Sequence, residues 1–316
     1  MKCLGVNGWR FSRALRVAAA LGAIFASHTP AFADTILFVG NSFTQGELSP
    51  VQNYRPETVT DLNQGGASGV AAVFKAFTRQ AGLRYDVSLE AASGMNLDFH
   101  YEQKARLIAR PWDHVVLQPY STLDSKAPGD ARVLIEYAGQ LAELFHAQNP
   151  HVDVRLVATW SRADQTYLPS GHWFGRPIDA MARDLRLACD RATANSRYIQ
   201  GVIPVGQAWI RAMDTSVATA NPYQAARHGE LNLWGVDGYH GSSYGYYLEA
   251  LVIFGSVTGR DPRSLGRHET AATQLGINAA DADALQRVAF ETLAAEPGRR
   301  HSRDQRRHRE PLGHET

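Results

Sequence analysis

The feature that most constrains this chain is an alternation of two hydrophobic periods. Short apolar runs rich in β-branched residues occupy 36–39, 85–89, 114–118, 152–158 and 198–203. Between them lie longer stretches with helical spacing at 70–80, 97–109, 130–147 and 177–195, and another follows the last run at 243–258. Strands joined through helices run parallel, because each helix carries the chain back to the edge where the next strand starts. The expectation is an α/β, doubly wound (flavodoxin-like) five-stranded parallel sheet flanked by helices, in a single domain over 34–296. In such a sheet a ligand sits beyond the carboxyl ends of the strands. Those ends read Gly40-Asn41-Ser42, Ala92-Ser93-Gly94, Gln118-Pro119-Tyr120 and Thr159-Trp160-Ser161.

The two termini differ from the body. Residues 1–33 carry Lys2, Arg10, Arg13 and Arg16 ahead of the apolar run 17–25, and end in Ala31-Phe32-Ala33. That is the pattern of a cleaved signal peptide, with the mature chain starting at Asp34 in a periplasmic or secreted setting. Nine apolar residues fall short of the roughly 20 that a membrane span requires. A last helix is expected at 281–293. Beyond it, 297–316 is rich in Arg and His and poor in apolar residues, which predicts a disordered basic tail. With both ends set aside, 34–296 holds 22 basic against 28 acidic residues, an acidic body unsuited to a polyanion such as nucleic acid. Of the two cysteines, Cys3 leaves with the signal, so Cys189 has no partner for a disulfide. Its apolar helical surroundings predict a small buried hydrophobe.

Two strand-end and loop segments carry chemistry. Gly40-Asn41-Ser42 puts a hydroxyl just past the first strand, where a serine is often no more than a helix cap. Asp237-Gly238-Tyr239-His240 lies in a Gly-rich loop ahead of the stretch at 243, and an Asp three residues before a His can reach its ring. A carboxylate that fixes the imidazole tautomer lets the other ring nitrogen take a proton from a serine hydroxyl, the minimum set for a serine hydrolase. A rival nucleophile is Ser243 in Gly241-Ser242-Ser243-Tyr244-Gly245, a G-x-S-x-G match. That elbow needs a preceding core strand and a later acid and His, which are missing here, so Ser243 reads as a helix cap. The histidines His146, His151, His172 and His240 are scattered without metal-ligand spacing, and no metal or other cofactor is expected.

With those residues in view, the chain resembles the SGNH hydrolases, the GDSL-like esterase and lipase superfamily. Gly40-Asn41-Ser42 is similar to its Gly-Asp-Ser block, Gly94 in Ala92-Ser93-Gly94-Met95 to its second-block glycine, and Asp237 to His240 to its closing Asp-x-x-His. The resemblance implies nucleophile Ser42, base His240 and orienting Asp237. It also implies an oxyanion hole from the Ser42 and Gly94 backbone N–H groups. The third block departs from the family pattern: in place of Gly-x-Asn-Asp stands Val116-Leu117-Gln118-Pro119-Tyr120-Ser121, similar to a subgroup with Gln in this place. Gln118 carries the same amide on one more methylene and is expected as the third oxyanion donor.

Substrate signals are thinner. The aromatic residues Trp160, Tyr167, His172, Trp173, Phe174, Trp234 and Tyr239 fall in loops around the expected cleft, where they would either stack on sugar rings or pack loops onto the sheet. Asn41, Trp160, Trp173 and Tyr239 are the candidate substrate contacts. Export and the absence of a long apolar lid favour small or carbohydrate esters over bulk lipid, and the resemblance adds carbohydrate acetylesterases. The expected activity is hydrolysis of acyl, above all acetyl, esters through a Ser42 acyl-enzyme. The alternatives are a non-catalytic glycan-binding protein on the same scaffold and a carbohydrate O-acyltransferase.

Overall fold

The computed structural model describes Met1 and residues 33–297; the expected signal segment and all of the basic tail except Pro297 lie outside the described residues. Its centre is a parallel sheet of six strands: β1 (Asp34–Gly40), β2 (Thr60–Asp61), β3 (Tyr85–Ala91), β4 (His114–Leu117), β5 (Asp153–Val157) and β6 (Ile199–Ile203), in the spatial order β2-β3-β1-β4-β5-β6. The expected count of five is corrected by β2. It is two residues long and pairs Thr60 with Ser88 and Asp61 with Leu89 at the edge of the sheet. So short and partly exposed a strand has no apolar alternation to announce it.

β1 is the topological pivot, paired in parallel with β3 on one side and β4 on the other. Ile36, Leu37, Phe38 and Val39 are all fully buried, as a strand covered on both faces requires. Because side chains alternate, Ile36 and Phe38 enter one core with Val70, Phe74 and Leu251, whereas Leu37 and Val39 enter the other with Leu134, Leu141 and Leu185. Helices Gly69–Gln80, Val205–Asp214, Ser243–Thr258 and Ala279–Ala295 build the first layer. Helices Leu97–Ile108, Arg132–Gln148 and Asp179–Asn195 build the second. The last of these buries Cys189, as expected; desolvation pushes its thiol up to about 12.

Most helices match their sequence pattern. In Arg132–Gln148 the buried residues are Leu134, Ala138, Leu141, Ala142 and Phe145, a stripe at the 3.6-residue period. Helix Ser243–Thr258 is buried almost all round from Gly245 to Gly255, since it is wedged between the sheet and its neighbours. Its N-cap is Ser242, whose side chain accepts from Gly245 N–H, so Ser243 is the first helical residue rather than the cap. The one long helix that sequence reasoning left out, Val205–Asp214, buries Val205, Ala208, Trp209 and Ala212 at helical spacing. Pro204 and Gly206 at its start read as loop. Gly206 is in fact a close-packing residue, because a Cβ there would fall 2.3 Å from the Thr159 carbonyl oxygen.

The strand order reverses at β1, so the crevice beyond the carboxyl ends of β3, β1 and β4 is where a ligand is expected. Three of the sequence-identified segments sit there: Asn41-Ser42 after β1, Gly94 after β3 and Gln118 after β4.

Candidate active site

The turn after β1 is built around one constraint. At Gly40 a Cβ would lie 2.2 Å from Thr44 Oγ1 and 2.7 Å from Gln118 Oε1, so only glycine lets the chain pass. Asn41 then caps the one-turn helix Ser42–Gln45 by accepting from Phe43 N–H at 3.2 Å, while its own amide donates to the Met95 carbonyl at 3.0 Å. The Phe43 N–H is thereby taken, and the Asn41 N–H donates to Gln118 Oε1. The Ser42 N–H between them is in no hydrogen bond with a described residue, and Ser42 itself is 4% exposed.

Gln118 occupies the place expected of it but does something different. Its Oε1 accepts from Asn41 N–H and from the Thr44 hydroxyl, both at 3.0 Å. A backbone N–H can only donate, so the amide orientation is fixed and the nitrogen must face away. That Nε2 donates to the Pro119 carbonyl. In contrast to the expectation of an oxyanion donor, the Gln118 side chain braces the turn that holds Ser42.

Asp237 and His240 come from one tight loop. Gly235 N–H donates to the His240 carbonyl at 2.7 Å and Gly238 N–H to the Gly235 carbonyl at 3.1 Å. Asp237 Oδ1 accepts from the Tyr239 and His240 amides, each at 3.0 Å, and Oδ2 meets His240 Nδ1 at 2.7 Å. Burial pushes the Asp237 carboxyl up, but the hydrogen bonds from the His240 ring and the two amides outweigh it and hold the group below its usual range. The other ring nitrogen, His240 Nε2, is buried and has no hydrogen-bond partner among the described residues, Ser42 Oγ included. The ring lies edge-on to Phe43, the residue after Ser42, at 5.7 Å between centroids.

The segment after β5 clamps this loop from behind. Ala163 N–H donates to the Gly238 carbonyl at 2.8 Å and Trp160 Nε1 to the Tyr239 carbonyl at 3.2 Å. Trp160 stacks in an aromatic column between Phe43 at 4.3 Å and Trp209 at 4.5 Å, so its ring joins the Ser42 turn to the loop carrying His240. The Arg162 guanidinium covers the Tyr239 ring at 3.5 Å, pairs with Asp164 at 2.6 Å and donates to Ser121 Oγ at 3.3 Å. Sequence reasoning missed Arg162. Its signal was its position five residues past β5, directly after the segment Thr159-Trp160-Ser161.

Gly94 stands at the apex of an exposed turn with φ +75°, a left-handed conformation that glycine adopts without strain. Met95 N–H closes the turn onto the Ala92 carbonyl at 3.1 Å, which leaves the Gly94 N–H outside the turn's own bond. Asn96, also overlooked, ties the turn to the β4 side: its Oδ1 accepts from Tyr120 N–H at 3.1 Å and its amide donates to the Leu123 carbonyl at 2.9 Å.

Ser42, Asp237, His240, Gln118, Asn41, Tyr239 and Trp160 are thus linked through direct contacts, with the Gly94 turn attached through Asn41. Two of the expected substrate contacts are corrected. Trp160 is wholly buried in the aromatic column, and Trp173 is wholly buried in the other core with Nε1 on Asp184 at 2.8 Å. Both rings are spent on packing and expose no face to a ligand. Trp234 is likewise buried, and Tyr239 is half-buried. Among the described residues no group of three or more His, Cys, Asp or Glu side chains is arranged to hold a metal, and no helix is long and apolar enough to cross a membrane.

No family model matches the chain, and no curated protein matches it. Solved structures do. A DUF4886 family protein from Bacteroides uniformis superposes with a TM-score of 0.60 at 16% identity, over 84% of this chain and 96% of that one. A carbohydrate esterase family 3 protein from Talaromyces cellulolyticus gives 0.46 at 13% identity, over 72% of this chain and 97% of that one. Phospholipase A1 from Streptomyces albidoflavus gives 0.44 at 13% identity, over 72% and 99%. At such identities the likeness concerns the fold: this chain shares its α/β architecture with the DUF4886 family protein.

Proposed function

We propose that this protein is an exported serine esterase of the SGNH type. The observation that carries the reading is a buried imidazole with one nitrogen held by Asp237 and the other unengaged, its ring 5.7 Å from that of Phe43, the residue after Ser42 at the carboxyl end of the central strand. Asp237 fixes the tautomer with the proton on Nδ1, so Nε2 presents a lone pair. As an ester enters, Ser42 Oγ attacks the carbonyl carbon and His240 Nε2 takes the hydroxyl proton. The oxyanion accepts from the Ser42 and Gly94 N–H groups. Collapse of the tetrahedral intermediate breaks the ester C–O bond, the imidazolium returns its proton to the leaving alcohol, and water repeats the sequence on the acyl-enzyme. Asp237 stays ionised throughout, which suits a carboxyl held below its usual range.

The substrate reading is an acetyl ester on a carbohydrate, with Tyr239 the remaining aromatic contact. Burial of Trp160, Trp173 and Trp234 takes those three rings out of the aromatic set that motivated a glycan-binding alternative, while Phe174 and His172 stay exposed. The test is hydrolysis of p-nitrophenyl acetate to decanoate and of acetylated polysaccharides by the mature chain. Acetate should be released at a rate that falls with acyl length and disappears in Ser42→Ala. Activity that survives Ser42→Ala, or none on any ester, refutes the proposal.

A further inference from the structure

Beneath the Gly94 turn lies a second carboxylate–imidazole pair that the proposed chemistry does not use. Glu90, the penultimate residue of β3, and His100, in the first turn of helix Leu97–Ile108, are both completely buried, and His100 Nδ1 bonds the Glu90 carboxylate. Asn63 donates to Glu90 Oε1 and to the Ala91 carbonyl, each at 3.1 Å, and accepts from Lys104 Nζ at 2.8 Å. His100 Nε2 is buried without a hydrogen-bond partner among the described residues. The tautomer that leaves no buried N–H unsatisfied therefore carries its proton on Nδ1, donated to Glu90.

This pair spans the base of residues 91–99, the segment that carries Gly94. Ser93, Gly94 and Met95 at its apex are exposed, and Ser93 Oγ lies 2.7 Å from Gln45 Oε1 and 2.6 Å from Glu47 Oε2. Its flanks are tied to β1 by Ala92 N–H on the Gly40 carbonyl at 3.0 Å and by Asn41 on Met95, and to the loop after β4 by Asn96. The Glu90–His100 bond adds a buried tie between the end of β3 and the first turn of the helix. An apolar pair would fill the same space without the desolvation of a carboxylate, so stability alone does not favour these residues. A directional bond supplies what packing does not, a single geometry for the turn above it.

We propose that the buried Glu90–His100 pair is the positioning element of the oxyanion glycine: it locks the base of the turn so that the Gly94 N–H stays aimed into the cleft. This rests on the role given to Gly94 above. A donor displaced by a fraction of an ångström meets the ground-state carbonyl almost as well but the developing oxyanion much less well, so its loss falls on kcat.

The experiment uses the mature chain with p-nitrophenyl acetate, at a temperature where every variant is folded. His100→Leu keeps the volume and removes the donor; kcat should fall about tenfold to a hundredfold with KM within about twofold. His100→Asn, whose amide can stand where Nδ1–H stands, should recover most of that loss. Phe145→Leu, a core change in helix Arg132–Gln148, controls for stability and should lower the melting midpoint with kcat unchanged. If His100→Leu does not fold, Glu90→Gln, which cannot satisfy both Asn63 and His100, is read in the same way. Unchanged kcat in folded His100→Leu beside an active wild type overturns this proposal alone. A wild type inactive on all esters overturns the role of Gly94 and the purpose given to the pair with it.

Discussion

Replacing Gln118 separates a brace from an oxyanion donor. In Gln118→Ala the Asn41 N–H and the Thr44 hydroxyl, both buried, lose their shared acceptor. Each unsatisfied group costs about 1–3 kcal/mol, so the variant should lose about 2–6 kcal/mol in all. For a domain of this size that lowers the melting midpoint by about 4–24 °C, at roughly 2–4 °C per kcal/mol. Gln118→Glu adds a test with a definite sign. One carboxylate oxygen still accepts from both donors, but the other faces the Pro119 carbonyl and needs a proton to bond it. The carboxyl pKa in that folded variant is thereby raised above its unfolded value. Its stabilising contribution is present below the unfolded pKa and is lost as pH rises through the folded one, so the stability deficit against wild type should shrink on acidification. The assay is thermal melting from pH 4 to 8 together with kcat at 20 °C. A folded Gln118→Ala with an unchanged midpoint and a kcat reduced about 10²- to 10³-fold, the loss expected of a missing oxyanion donor, would refute the brace.

Further outcomes follow from the geometry. Ser242→Ala removes the cap of helix Ser243–Thr258 and should cost about 1 kcal/mol in a melting experiment, while Ser243→Ala leaves both stability and turnover nearly unchanged. The Cys189 thiol, fully buried and pushed up to about 12, should react with a thiol reagent such as dithionitrobenzoate only once the protein is unfolded. Asp237→Asn presents an amide to His240 Nδ1, which forces the ring proton onto Nε2, and kcat for p-nitrophenyl acetate should fall about 10⁴-fold with KM little changed. In wild type the depressed Asp237 carboxyl contributes stability above the ordinary carboxylate range and loses it as pH falls through its folded pKa, so a plot of melting midpoint against pH should drop less steeply in acid for Asp237→Asn.

The long-period architecture was legible because β1, β3, β4, β5 and β6 each carry an apolar run and the helices between them carry a stripe. Helix Ser243–Thr258 falls where its pattern placed it, to the residue. β2 was not legible, since two residues whose hydrogen bonds go to β3 leave no mark on their own side chains. In the site, the reach of Asp237 to His240 was readable because a three-residue offset across a glycine turn has few geometries. The roles of Gln118 and Trp160 were not. A glutamine after a strand gives no sign of which way its amide faces; that is decided by Asn41 N–H, 77 positions earlier in the chain. A loop tryptophan gives no sign that Phe43 and Trp209 will enclose it. Both depend on contacts between distant segments, which propensity and period do not encode.

The most direct test of the central claim is covalent capture of the nucleophile. The mature chain is treated with a fluorophosphonate, and the labelled peptide is identified by mass spectrometry in wild type, Ser42→Ala, Ser243→Ala and His240→Ala. A serine activated by His240 should take one label per chain on Ser42, at a rate unaffected by Ser243→Ala, sharply reduced in His240→Ala and zero in Ser42→Ala. Labelling on Ser243, or on Ser42 at the same rate without His240, would contradict the assignment of nucleophile and base.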